Sequence, residues 1–110
     1  VKEISKESNK FKISYGKENE LFAEKILLST GFRSWNIKGI ELPLKQFTRT
    51  TNTSRVAMNH IDYRVEENIY VCGLLSDVSS QYPIVAGTGA QAAINIMFDC
   101  TGEWIVIHDK

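Results

Sequence analysis

Residues 68–96 read NIYVCGLLSDVSSQYPIVAGTGAQAAINI. The apolar run Ile69-Tyr70-Val71-Cys72 has the composition of a strand, and it delivers the chain to Gly73, where backbone without a Cβ can approach a ligand. A polar turn follows, and Ser79 or Ser80 is placed to cap a helix predicted from about Ser80 to Phe98, with Pro83 in its first turn. Unpaired amides at such a helix start attract a negative group. Strand, glycine turn and small-residue helix together suit a nucleotide cofactor. Gly87, Ala90, Ala92 and Ala93 form a small face on this helix. Gly87 and Gly89 each cost about 1 kcal/mol relative to Ala in a helix interior, so packing or ligand contact is expected there. A rival reading takes Tyr82–Ala86 as a strand and Gly87 to Ala92 as a G-x-G-x-x-A dinucleotide fingerprint. Pro83 inside the strand, the strand's shortness and the lack of an acid about 20 residues on at the end of a second strand favour the helix.

The chain around this stretch is short. Its 110 residues make one domain or a piece of one, and 43% hydrophobic with 24% charged residues is ordinary globular composition. No apolar run approaches the ~20 residues that span a bilayer, and VKEISKESNK has no signal-peptide core, so a soluble cytoplasmic protein without membrane association is expected. Cys72 and Cys100 lack Cys-x-x-Cys spacing and read as reduced thiols. The zero net charge divides unevenly: +1 over residues 1–32, +4 over 33–65 and −5 over 66–110. The basic middle has neither interleaved aromatics nor a dense arm of Lys and Arg, which argues against nucleic acid and for a face complementary to another part of a larger protein.

Phe11, Ile13 and Tyr15 alternate with Lys10, Lys12 and Ser14, the period of a half-buried strand that Gly16 ends. A hairpin into a buried strand over Leu21–Ser29 is the economical continuation, a helix over Glu18–Leu28 the competing one. That strand closes on Ser29-Thr30-Gly31, leaving amides at a carboxyl edge where open α/β sheets bind ligands. Trp35 to Glu67 shows little regular pattern and reads as a connector. Asp99–Gly102 reads as a turn, and Glu103–His108 as a final strand. The expected fold class is α/β or α+β: one small sheet fed by strands near Lys10, Leu21, Ile69 and Glu103, covered by the helix.

Several of these residues resemble a known family. Leu27-Leu28-Ser29-Thr30-Gly31-Phe32-Arg33 is similar to the Ala-Thr-Gly strand end, followed by Arg, of the thioredoxin reductase-like pyridine nucleotide-disulfide oxidoreductases. Gly39-Ile40-Glu41-Leu42-Pro43 resembles that family's connector. The stretch from Ile69 resembles its last FAD segment, where a strand ending Ala-Gly-Asp precedes a helix opening Arg-Gln-Ala. The resemblance implies the C-terminal part of a Rossmann-like, two-lobe FAD/NAD(P)-binding flavoprotein: residues 1–34 ending a nucleotide-binding lobe, 35–67 the connector, 68–110 the FAD-binding segment. It implies an oxidoreductase moving electrons from NAD(P)H through FAD, with Thr30, Gly31, Gly73, Leu74, Asp77, Gln81 and Tyr82 at the cofactor. Gln81 matches the family's Gln, after which backbone amides face the flavin. A helix N-terminus contributes ~0.3–1 kcal/mol there, on the order of 10–20 mV for a two-electron couple.

Two departures accompany the resemblance. Leu74 stands where the family's Asp accepts a hydrogen bond from the cofactor, a loss of about 1.5–3 kcal/mol, and Asp77 comes three residues later. No G-x-G-x-x-G occurs in residues 1–80 and no Cys-x-x-Cys anywhere, so the chain is expected to be incomplete alone, its partner the remainder of a flavoprotein, a second chain or a second copy in a homodimer. The alternative from another class is a non-catalytic interaction module on a degenerate flavoprotein scaffold. A free-standing nucleotide-binding domain using Gly87 to Ala92 is a third. Cys72 reads as core, Trp35 and Trp104 as packing anchors, and His60 and His108 lack further ligands at metal spacing. Ser79, Ser80 and Asp77 form no hydrolase elbow.

Overall fold

The computed structural model describes residues 1–31, 37–40, 44–46, 54–56, 58, 62–76 and 78–103. Alternating apolar and polar residues build an antiparallel meander of β1 (Glu3–Glu7), β2 (Lys10–Tyr15) and β3 (Asn19–Ala23), turned by Ser8-Asn9 and by Gly16 to Glu18. Ile4 pairs with Ile13, and Phe11 with Lys6 and Ala23, so Ile4 and Phe11 reach the core while Lys12 sits between Glu7 (3.4 Å) and Glu20 (3.8 Å).

A second sheet has the order β4 (Ile26–Leu28), β8 (Ile69–Val71), β7 (Arg64–Glu66). β4 and β8 run parallel, matching Ile26 with Ile69, Leu27 with Tyr70 and Leu28 with Val71, whereas β7 is antiparallel to β8 with an irregularity between Arg64 and Glu66. β5 (Leu44–Gln46) and β6 (Ser54–Val56) form a two-stranded antiparallel pair. A 3₁₀ turn over Gly73–Leu75 leads to α1 (Tyr82–Thr101), the single α-helix among the described residues, which Gly102 ends in the left-handed conformation by donating its N–H to the Phe98 carbonyl. The described residues thus form a mixed α and β fold of small sheets and one α-helix.

The core is a cluster of Ile4, Phe11, Ile26, Leu28, Ile40, Val56, Ile69, Val71 and Leu75 that joins the two three-stranded sheets. Ile37 to Ile40 are spliced onto the meander at the backbone, with Ile40 in the shared core: the Ile4 N–H donates to the Lys38 carbonyl (2.9 Å) and the Lys38 N–H to the Lys2 carbonyl (3.1 Å). Val56, fully buried, bridges to Ser76.

Several expectations are corrected. The strands near Lys10 and Leu21 belong to one sheet and that near Ile69 to another, because the meander satisfies its own hydrogen bonds before β4 begins. Leu21–Ser29 is neither one buried strand nor a helix: Glu24 and Lys25 separate β3 from β4, and Leu21 and Phe22 are exposed on an edge strand. The pattern-poor stretch Trp35–Glu67 contains β5, β6 and β7, strands of three residues each, too short to show a period. The helix begins two residues later than predicted, and Gln81 rather than Ser79 or Ser80 is its N-cap. It continues through Asp99–Thr101, read as a turn, because the stop comes from Gly102. Tyr82–Ala86 is helix, so Gly87 to Ala92 lies mid-helix and the dinucleotide fingerprint reading fails. Among the described residues a Cβ at Gly87 or Gly89 would meet nothing within 4 Å, so neither glycine serves packing against them. The final strand, from Trp104 on, lies outside the described residues, as do Trp35, His60 and His108.

Gly39 is required by its surroundings. Its φ is +92°, and a Cβ there would stand 2.1 Å from the Ile4 carbonyl oxygen, on the backbone of the splice. Gly102 has a comparable φ of +73°, but among the described residues a Cβ there would meet nothing within 4 Å. Gly39→Ala is therefore expected to lose at least about 3 kcal/mol in urea unfolding, and Gly102→Ala only about 1 kcal/mol, the left-handed penalty alone. Equal losses would remove the splice from the account.

Candidate functional site

The parallel pairing of β4 and β8 sends both strands toward the same edge, where each ends in a left-handed glycine: Gly31 at φ +80° and Gly73 at φ +70°. The Cys72 N–H extends the ladder by donating to the Leu28 carbonyl (3.0 Å). The two strand ends touch, since a Cβ on Gly73 would lie 3.0 Å from Ser29 Oγ. Thr30 is exposed, Gly31 half-buried, and a Cβ at Gly31 would meet nothing within 4 Å. Open backbone at a carboxyl edge is what a ligand in an α/β sheet uses.

Gly73 itself is committed internally. Its N–H donates to Thr88 Oγ1 (2.8 Å), and its carbonyl accepts from Ser76 Oγ (2.6 Å) and from the Ser76 N–H (3.1 Å). Gly73, expected as a point where backbone approaches a ligand, has its N–H aimed by the left-handed turn at the helix rather than at solvent. Thr88 in turn donates to the Val85 carbonyl (2.6 Å) and is nearly fully buried. Leu74 is half-buried in the 3₁₀ turn, and Asp77 lies outside the described residues.

Gln81 and Tyr82 stand at the start of α1, where the Gln81 carbonyl accepts from the Ile84 and Val85 N–H groups, both at 3.0 Å. Gln81 makes no side-chain capping bond, the first turn holds no acid, and Tyr82 is 83% exposed. The partial positive charge of the helix N-terminus therefore faces solvent. Six residues separate Tyr82 from Thr88, about 9 Å along the axis, so the helix start and Gly73 are two ends of one ledge. Ser29, Gly73 and Thr88 are in contact; Gln81 and Tyr82 lie two turns away from them.

Sequence reasoning missed the pins that hold the ledge. Thr88 carries one. The other joins Tyr70, fully buried on β8, to Asp99 in the last turns of α1 through a hydrogen bond from the phenol to the carboxylate. Asp99 is the one charged residue in the helix and Tyr70 a phenol in an otherwise apolar strand, and that combination was the available signal. Arg64 lies across from Tyr70 in register and is held by Asp62 at 2.9 and 2.8 Å. Burial, reinforced by the hydrogen bond to Asp99 and that carboxylate's charge, pushes the Tyr70 phenol well above its ordinary value; Arg64 opposes weakly. Among the described residues, no three or more His, Cys, Asp or Glu side chains gather as metal ligands. No described helix is long and apolar enough to cross a membrane.

Compared with protein-family models, with curated proteins and with solved structures, the chain matches none of them.

A raised phenol pKa means that the fold retains the proton longer than the unfolded chain does. The stability it contributes is complete below about pH 10, the ordinary tyrosine value, and falls as the pH rises toward the folded value. Tyr70→Phe is expected to lose about 1–2 kcal/mol at neutral pH and to flatten the alkaline decline in thermal unfolding. Thr88→Val, which strands the Gly73 N–H, is expected to cost about 1–3 kcal/mol, whereas Thr88→Ser retains most of the stability.

Proposed function

We propose that the chain is the C-terminal FAD-binding part of an NAD(P)H-dependent flavin oxidoreductase resembling thioredoxin reductase, working in the cytoplasm and incomplete without the remainder of the flavoprotein. One observation carries this reading: the parallel strands β4 and β8 run side by side to left-handed glycines, and the second leads through a turn to a helix whose N-cap, Gln81, makes no side-chain capping bond. A nucleotide cofactor needs open backbone and a positive helix end along one edge, which is the order found here.

The residues fit a cofactor through backbone more than through side chains. Thr30 and Gly31 would offer the open edge, and the Gly73-Leu74 turn would supply surface against the ligand. Gln81 and Tyr82 would meet its electron-rich end with the helix amides. FAD, when bound, supplies acceptance and release of electrons; the chain's own residues bind and orient it. Leu74 in place of an acid weakens that hold. The nicotinamide cofactor would be held by a lobe beyond these residues.

A second reading, a non-catalytic interaction module on this scaffold, draws on the Gly73 N–H being occupied by Thr88 and on Leu74. Titration of the purified protein with FAD, read by flavin absorbance and fluorescence, separates the two. The cofactor reading expects saturable binding and at least about tenfold tighter binding in Leu74→Asp, from the ~1.5–3 kcal/mol of a charge-assisted hydrogen bond. It expects weaker binding in Tyr82→Glu, whose carboxylate would occupy the positive helix end without harming the helix. Absence of binding in the parent chain and in Leu74→Asp would leave the interaction module.

A further inference from the structure

We draw no further inference here: the strongest candidate, the charge-free edge of β4 (Ile26–Leu28) together with the exposed apolar face of α1, carries nothing because nothing in the structure shows what covers it.

Discussion

Everything else in the molecule is arranged around the pairing of β4 with β8. Parallel strands need a crossover, and here it consumes residues 29–68, bringing Ile26 beside Ile69. Closing such a loop costs about 3 kcal/mol beyond a constant, and a contact this remote in sequence forms late. What offsets the cost is burial: Ile26, Leu28, Ile69 and Val71 are all inside, against Ile4 and Phe11 of the meander and Val56 and Leu75 from the crossover side. Without the pairing the two glycine ends would be unrelated points on a chain. With it Ser29, two residues before Gly31, touches Gly73.

How much of this was legible depended on whether a residue pattern had room to repeat. Lys10–Tyr15 showed its strand because six residues are enough for three alternations, and Ile69–Val71 because it is apolar throughout. The three-residue strands β5, β6 and β7 had no such room. β1 was missed for a different reason: Glu3, Lys6 and Glu7 mask the single buried side chain, Ile4. The helix was legible in kind and displaced at its ends. Its start was assigned to serines that could cap, while the chain is extended at Gln81, the N-cap, whose side chain makes no capping bond.

The candidate site divides along the same line. Glycines at strand ends announced themselves, and Gly31 and Gly73 do adopt the left-handed conformation that only glycine takes without strain. What a glycine does with its backbone polar groups is not written locally. The Gly73 N–H is answered fifteen residues later by Thr88, and the Tyr70 hydroxyl twenty-nine residues later by Asp99. Both partners lie on the helix, and no spacing rule within a strand or a helix links them.

Those two bonds give α1 an unusual standing. It has no pairs of opposite charge along its length and it contains Gly87 and Gly89, so as a free peptide it would be mostly unfolded. It is helical because it is docked, and it is docked at a few points along one stripe: Thr88 near its middle, Ala92 and Asn95, and Asp99 near its end. Its first turn, ahead of all of these, is restrained only by the chain that leads into it. In amide hydrogen exchange, Ile84 to Ala86 would lose protection first by fraying, while Ala92 to Asp99 would exchange together in one opening that releases the helix from β8. The edge offered to a ligand is thus bounded on one side by a fully buried strand and on the other by a turn that stands ahead of the helix's docking contacts.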